Sequence, residues 1–178
     1  MSCITEILNL KGNKEVMIDY DEQKNPWIAV EGGGKYKEYE YLIVLNMLGH
    51  RCGYVAIPPS HKYSNTPIKK CNFFGKEHHS YDYDSLDIEC HGGLTFMSPD
   101  HGLKNLLTTP CTDQWIGFDC GHCYDKSDYD AMEKYFGREY AEARFKYCSS
   151  LEDGNIVRTF EYVEIQCKSI IDQLELVA

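Results

Sequence analysis

The stretch TFEYVEIQCKSIIDQLEL, residues 159–176, is the clearest helical segment of the sequence. Its apolar residues recur every three or four positions, which places their side chains on one face of an α-helix. They are Phe160, Val163, Cys167, Ile170, Ile171 and Leu174. Thr159 stands just before them, where a threonine side chain can cap the first free backbone N–H groups. The pattern predicts an amphipathic helix that packs one face on the rest of the protein.

The segments before this helix are rich in β-branched and aromatic residues and are separated by turn-forming residues, which is typical of strands. We predict strands at residues 15–20, 27–31, 38–46, 53–57, 86–96 and 115–119. We predict helices at residues 2–10 and over residues 129–148, the latter as one helix or as two broken near Gly137. Strands first and helices last predict an α+β fold, in which C-terminal helices cover one antiparallel sheet.

Two segments are predicted as loops. Residues 32–34 are three glycines, and they lack the following Lys-Ser or Lys-Thr of a phosphate-binding loop. Residues 58–76 are polar and rich in lysine.

The 178 residues predict a single domain, 1–178, because one hydrophobic core commonly serves a chain of this length. The formal net charge of −10 argues against nonspecific binding of nucleic acid over the whole surface. The N-terminal residues lack the apolar run of a signal peptide, and no window is long and apolar enough to span a bilayer. We therefore expect a soluble, cytoplasmic protein that does not contact a membrane.

Charge is unevenly distributed along the chain. Residues 51–77 contain five basic residues and one acid, a local charge of +4, whereas residues 82–130 carry a local charge of −8. The basic segment predicts contacts to phosphate or nucleic acid, and the residues assigned to them are Arg51, Lys62, Lys69 and Lys70. The alternative is that these charges only form a solvated face.

Nine cysteines, an odd number, exclude a complete set of intramolecular disulfides, and in the cytoplasm most would be reduced. Cys120-Gly-His-Cys123 reproduces the dithiol motif of disulfide isomerases, but no proline follows it to supply the cis-proline of that site. A zinc site is another alternative, and it would draw on Cys71, Cys90, His91, Cys111, Cys120, His122 and Cys123. We favour small buried thiols in a β-rich core.

The candidate site begins with the segment Asp87-Ile-Glu-Cys-His-Gly-Gly93. On a strand, Asp87, Glu89 and His91 would share one face, since side chains alternate between the two faces. Gly92 and Gly93 would then let a backbone or a ligand come close.

Other polar residues lie at the predicted ends of neighbouring strands. Asp119 and His122 lie at the end of the strand at residues 115–119, and His61 follows the strand at residues 53–57. The candidate catalytic residues are therefore His91, His122, Asp119, Asp87 and His61.

Histidines and carboxylates from separate strand ends are sufficient for two chemistries. They could bind a divalent metal, of unknown identity, that activates water. They could instead act without a metal, one histidine as general base and another as acid, as in ribonuclease-like cleavage of a phosphodiester. The alternative is structural: His91 and His122 would be buried and hydrogen-bonded to Asp87 and Asp119.

Three motifs occur in the order GHRCGYV at residues 49–55, HGGLTF at residues 91–96 and WIGFDCGH at residues 115–122. As a set they resemble a family of small bacteriophage and mobile-element proteins. The pair Tyr162-Val163 in the last helix also fits. The resemblance covers about a third of the chain. Where the family commonly has a small residue in the Asp-Cys-x-His neighbourhood, this sequence has Gly121 and adds Cys123.

The setting of that family implies antagonists of host defence, among them anti-CRISPR proteins. The resemblance thus implies a protein in the host-cell cytoplasm that engages a type II CRISPR effector ribonucleoprotein or its guide RNA. Two alternatives remain open: a stand-alone phosphodiesterase or ribonuclease that depends on histidine and aspartate, and a noncatalytic protein that sequesters a nucleotide near Gly92 and Gly93.

Overall fold

The computed structural model describes residues 17–20, 26–65, 68–73, 76–81, 86–98, 114–148 and 156–178. Its strands are β1 (Met17–Tyr20), β2 (Pro26–Tyr36), β3 (Tyr39–Asn46), β4 (Arg51–Ile57), β5 (Ile68–Phe73), β6 (Lys76–Tyr81), β7 (Phe96–Ser98), β8 (Gln114–Asp119), β9 (Asp125–Lys126) and β10 (Ile156–Val157). Its helices are α1 (Tyr129–Phe136), α2 (Arg138–Cys148) and α3 (Phe160–Glu175), and a 3₁₀ turn spans Lys62–Asn65. The helix predicted at residues 2–10 lies outside the described residues.

Six strands form one antiparallel sheet in the order β1-β2-β3-β4-β8-β7. β5 and β6 form a separate hairpin, and β9 pairs with β10 as a short parallel ribbon. Helix α3 packs on β2, β3 and β4, in the middle of the sheet. The predicted α+β fold, an antiparallel sheet covered by the C-terminal helix, is confirmed.

The main core lies between α3 and one face of the sheet. Alternate residues of the central strands point towards the helix, and they pack on its apolar stripe. The sheet supplies Tyr41, Ile43, Val55, Ile57, Ile116 and Phe118, and α3 supplies Val163, Cys167, Ile170, Ile171 and Leu174. These helix residues are all in the stripe predicted from the sequence.

Gly53 sets how closely α3 approaches the sheet. A β-carbon at this position would lie 2.6 Å from the Phe118 ring and 2.7 Å from Cys167 Sγ, too close for either contact. Glycine therefore lets the helix backbone, which carries Cys167, come down on β4. This places the first turn of α3 near the edge where β4 begins and β8 ends.

The predicted helix boundaries are confirmed at two points. Thr159 caps α3, because its hydroxyl accepts a hydrogen bond of 3.3 Å from the backbone N–H of Tyr162. The break near Gly137 is also present: this residue has φ +94° and separates α1 from α2. No helix in the described ranges is long and apolar enough to cross a membrane.

Both predicted loops contain strands. Residues 32–34 belong to β2, where the three glycines pair with Ile43, Leu42 and Tyr41 after a register shift. The basic segment at residues 58–76 contains the 3₁₀ turn and β5, so its lysines lie partly on the β5–β6 hairpin.

The strand predicted at residues 86–96 is wrong for most of its length. Of the described residues in this segment, only Phe96 pairs with β8, as the first residue of β7. Asp87, Gly92 and Gly93 have φ values of +48°, +66° and +83°, which no strand residue adopts. Residues 87–95 form an irregular loop as a result.

Candidate functional site

The irregular loop, residues 87–95, is docked on α3 by two glutamine side chains. Gln173 pairs with both backbone groups of Glu89: its Oε1 accepts from the N–H at 2.7 Å and its Nε2 donates to the carbonyl at 2.8 Å. Gln166 Oε1 accepts from the backbone N–H of His91 at 3.0 Å. These side chains replace the neighbouring strand that a sheet would supply, and they place His91 beside the first turns of α3.

A tight turn presents the His91 side chain to the rest of the site. The backbone N–H of Gly93 donates to the carbonyl of Cys90 at 3.0 Å and closes the turn around His91 and Gly92. Both glycines have positive φ, which an L side chain rarely adopts. The two glycines noted in the sequence therefore form this turn.

Both ring nitrogens of His91 are held by side chains from other segments. Nε2 lies 2.7 Å from Oδ2 of Asp125, and Nδ1 lies 3.0 Å from the hydroxyl of Tyr162. The side chain of His91 is 12% exposed. His91 therefore touches a substrate only through a group bound to it, unless one of these contacts opens.

Asp125 is the buried anion of the site, with no exposed side-chain surface. Its carboxylate accepts from His91 Nε2, from Arg158 Nε at 2.7 Å and from the backbone N–H of His122 at 3.1 Å. Burial alone would raise the pKa of Asp125, but the bonds from Arg158, His91 and His122 outweigh it and lower the pKa below its usual value. Asp125 is therefore an anion at neutral pH.

Arg158 closes the arrangement into a ring of four residues. Its guanidinium binds Asp125 and also lies 4.9 Å from the centre of the Tyr162 ring, in cation–π geometry. We call His91, Asp125, Arg158 and Tyr162 the histidine network. The pairing of β9 with β10 brings Asp125 and Arg158 together, because it sets Ile156 beside Asp125.

His122 lies next to this network, its ring centre 5.6 Å from that of His91. About a third of the side chain is exposed, yet Nε2 is buried and makes no hydrogen bond with the part of the chain that the structure describes. Nε2 lies 3.8 Å from Oδ1 of Asp119, close enough to pair when the imidazole is protonated. Asp119 is itself oriented by Thr95 Oγ1 at 3.0 Å and by the Gly121 N–H at 2.8 Å.

The structure thus brings together three of the five predicted catalytic residues: His91, His122 and Asp119. Asp87 and Glu89 do not share a face with His91, since the segment is not a strand. Both side chains are exposed. The two hydrogen bonds that dock Glu89 on Gln173 are made by its backbone N–H and carbonyl. The predicted structural pairing of His91 with Asp87 is also replaced, by the contact with Asp125.

His61 lies at the other end of α3. It is buried, and its Nε2 lies 3.2 Å from the carbonyl of Leu174, while its Nδ1 accepts from the N–H of Tyr63 at 3.1 Å. Leu174 is twelve positions from Tyr162 along α3, which corresponds to about 18 Å at the rise of an α-helix. His61 therefore supports the C-terminal end of α3 and is not part of the site around His91.

Arg51 does not point towards a free phosphate. Its guanidinium is buried and binds Glu31 at 2.6 and 3.0 Å, Asp128 at 2.7 Å and the carbonyl of Arg158 at 2.9 Å. Burial alone would lower the pKa of Arg51, but Glu31 and Asp128 raise it above its usual value. The prediction that Arg51 contacts phosphate is corrected: it joins β2 and β4 to the segments before α1 and α3.

The three predicted lysine contacts lie in the 3₁₀ turn and on the β5–β6 hairpin. Lys62 is exposed, with its Nζ 5.0 Å from the centre of the Tyr63 ring. Lys69 and Lys70 lie on β5, opposite Ser80 and His79 on β6. Their role in binding phosphate stays a prediction.

The cysteines of the predicted dithiol motif differ in environment. Cys120 is buried and Cys123 is exposed, and both are free thiols. Burial raises the pKa of Cys120 to about 12. Cys52 and Cys167 are also buried thiols of the core, as favoured from the sequence.

The ranges that the structure describes contain no ready-made metal site. No group of three or more histidine, cysteine, aspartate and glutamate side chains there is arranged to hold an ion. Of the predicted zinc ligands, Cys111 lies outside those ranges, and Cys71 lies on β5.

A cleft of about 570 Å³ opens elsewhere, between α1, α2 and the β9–β10 ribbon. Tyr129, Phe145 and Val157 supply its apolar lining. None of the predicted site residues is among the described residues that line it. We therefore centre the candidate site on titratable side chains and not on this cleft.

Sequence reasoning missed Asp125 and Arg158, and it noted Tyr162 only through the family resemblance. One signal was present on α3: Tyr162, Gln166 and Gln173 are spaced by four and seven residues, which places them on one helix face. A polar row beside an apolar stripe indicates contact with another segment. Asp125 carries no comparable local signal.

Comparison of the chain with models of protein families, with curated proteins and with solved structures finds no match. The function is therefore argued from the geometry of the site.

Proposed function

We propose that this protein is a phosphodiester-directed enzyme, a ribonuclease or phosphodiesterase, that uses His91 and His122 for acid–base catalysis without a metal. The observation that supports this most directly is the pairing of the two imidazoles. Their centres are 5.6 Å apart, and each has its own carboxylate, Asp125 for His91 and Asp119 for His122.

Cleavage of a phosphodiester needs one group that takes a proton from the nucleophile and another that gives a proton to the leaving oxygen. Two histidines with separate carboxylates suit these opposite roles, because each imidazole can hold a different protonation state. His122 is the more exposed of the two, so it is the histidine that reaches the leaving oxygen, through Nδ1, because its Nε2 is buried against Gly92. His91, with both nitrogens engaged, acts through a neighbouring group.

Nucleic acid is the substrate class that agrees with the charges. The basic segment that carries Lys62, Lys69 and Lys70 would bind the phosphate backbone, while the net charge of −10 limits binding elsewhere. The role of host-defence antagonist remains a proposal, and in its catalytic form the guide RNA of a type II CRISPR effector would be the substrate.

The test is incubation of the purified protein with end-labelled RNA, including a guide RNA, with and without EDTA. We expect cleavage in both cases. Positioned acid–base groups contribute about 10²–10⁴-fold to rate, so His122→Ala and His91→Gln should each lower cleavage by at least about 100-fold.

His61→Gln is the matched control, since His61 is a buried histidine at the far end of α3. It should lower the temperature of unfolding and leave the rate of cleavage unchanged. The proposal fails if EDTA abolishes cleavage or if the His122→Ala protein, still folded, cleaves at the original rate. Binding of RNA without cleavage would favour the noncatalytic sequestering alternative.

A further inference from the structure

Tyr162 stands at the end of a chain of side chains that runs from a carboxylate through an imidazole to a hydroxyl. Asp125 binds His91 Nε2 at 2.7 Å, and His91 Nδ1 lies 3.0 Å from the Tyr162 hydroxyl. The same order of groups, carboxylate, histidine and hydroxyl, activates the nucleophile in hydrolytic triads. In those triads the carboxylate binds Nδ1 and the hydroxyl faces Nε2. Here the carboxylate binds Nε2, and the hydroxyl that faces Nδ1 belongs to a tyrosine.

The hydrogen-bond network assigns the protons. Asp125 is an anion and can only accept, so Nε2 of His91 carries a hydrogen. In the neutral imidazole, Nδ1 then has a lone pair, and the Tyr162 hydroxyl donates to it. This is the state in which His91 can take the phenolic proton.

Arg158 holds the other members of the network in place. Its guanidinium lies 4.9 Å from the centre of the Tyr162 ring, in a cation–π contact that orients this ring beside His91. It also binds Asp125, which keeps that carboxylate ionised and His91 in its orientation. Arg158 is 22% exposed and Tyr162 is only partly buried, so the edge of the network meets solvent.

We propose that Tyr162 is a nucleophile, activated by His91, that takes the phosphoryl group from a phosphodiester. Its choice of substrate rests on the proposed function. A bond forms between the phenolic oxygen and phosphorus, while the bond from phosphorus to the leaving oxygen breaks. The phenolic proton passes to His91 Nδ1, and a protonated His122 gives its proton to the leaving oxygen. Asp125 is a positioning residue.

Hydrolysis of the phosphotyrosyl ester reverses these roles. Water attacks phosphorus and gives a proton to the now neutral His122, and Tyr162 leaves and recovers its proton from His91. No oxidant, reductant or second substrate is needed. Because the attacking oxygen comes from the protein, the reaction does not need a ribose 2′-hydroxyl, and DNA is a substrate as well as RNA.

The first experiment needs no substrate. p-Toluenesulfonyl fluoride reacts with activated phenols by loss of fluoride, and mass spectrometry of peptides measures labelling at each tyrosine. Tyr124 is the internal control, because it is 75% exposed and lies on the neighbouring turn. We expect Tyr162 to be labelled at least about ten-fold faster than Tyr124, despite its lower exposure, because a histidine base activates a neighbouring nucleophile.

Two variants place the effect in the network. In His91→Gln and in Asp125→Asn, labelling of Tyr162 should fall to the rate of Tyr124 or below, and labelling of Tyr124 should not change. Equal labelling of Tyr162 and Tyr124 in the original protein would overturn the inference. This comparison needs no variant, so it holds even if the variants misfold.

The second experiment separates the inference from the proposed function. Single-stranded DNA and RNA of one sequence are incubated with the protein, which is then denatured and weighed by mass spectrometry. We expect both to be cleaved, and a nucleotide adduct on Tyr162 that Tyr162→Phe lacks. If only RNA is cleaved and Tyr162→Phe cleaves it normally, the inference fails and the proposed function stands. Rapid labelling of Tyr162 without any cleavage would overturn the claim that the substrate is a phosphodiester, and it would support the claim that Tyr162 is activated.

Discussion

The backbone of Gly92 packs directly on the imidazole of His122. A β-carbon at residue 92 would overlap Nε2 of that ring, and Gly92 also has φ +66°. The loop that carries His91 and the turn that carries His122 are thus in contact at the point where only a glycine fits. This contact helps to fix the distance between the two histidines.

Gly92→Ala should therefore displace His122, and Gly93→Ala is its matched control. Gly93 has a similar φ of +83°, but a β-carbon there would meet no atom of the described residues within 4 Å. In both variants, an alanine with left-handed backbone angles lowers the free energy of unfolding by about 1–2 kcal/mol. Only Gly92→Ala should shift the NMR signals of the His122 ring and lower RNA cleavage. Equal effects of the two variants on that ring would contradict the packing.

The predicted parts of the fold rest on local patterns. The stripe of α3 and the β-branched runs of β3, β4 and β8 are encoded in neighbouring residues, and burial of these runs decides where they pack. Asp119 and His122 were found because they lie at the end of a buried strand, β8, which ends at the edge where the site lies.

The missed parts of the site depend on contacts between distant segments. Residues 87–91 alternate polar and apolar like a strand, but Gln166 and Gln173 of α3 bind their backbone and replace a sheet partner. Asp125 meets Arg158 only because β9 pairs with β10, a ribbon too short to leave a pattern in the sequence.

Arg51 should matter for stability and not for phosphate binding. Arg51→Met leaves Glu31 and Asp128 without their shared cation in a buried position, and loss of one partner from such a cluster costs about 3–5 kcal/mol. We expect this loss in urea unfolding, whereas Lys62→Met, at an exposed position, should change stability by less than about 0.5 kcal/mol. If binding of RNA by folded Arg51→Met falls while stability holds, the assignment of Arg51 to the interior is wrong.

Protonation of Asp125 should make the protein less stable in acid. Its pKa is lowered in the folded protein, so its contribution to stability is complete above the unfolded value of about 3.9. The contribution is lost as pH falls through the lower, folded value. Asp125→Asn should therefore be less stable than the original protein at neutral pH, and the difference should narrow as pH falls below about 4.

Urea unfolding between about pH 7 and about pH 3 measures this difference. Asp172→Asn serves as the control, since Asp172 pairs with Lys37 at 2.8 Å on the surface, where solvent weakens the pair. If the difference in free energy of unfolding between Asp125→Asn and the original protein stays constant over this range, the contacts of Asp125 do not lower its pKa.

The dithiol motif should not act as a redox pair. Attack on a disulfide or an alkylating agent requires the thiolate. Cys120 is 1% exposed and burial raises its pKa to about 12, while burial likewise raises the pKa of Cys52 to about 12. With iodoacetamide at about pH 8, Cys123 should be alkylated in the native protein, and Cys120 and Cys52 at least about 100-fold more slowly.

Mass spectrometry of peptides after timed quenching measures these rates. In urea, all three thiols should react at similar rates, since unfolding removes the burial that protects Cys120 and Cys52. Cys123→Ser is the control for the motif: it should leave the slow alkylation of Cys120 unchanged, because burial and not the partner thiol keeps Cys120 protonated. Rapid alkylation of native Cys120, or a Cys120–Cys123 disulfide formed in a glutathione buffer, would instead restore the redox interpretation of Cys120-Gly-His-Cys123.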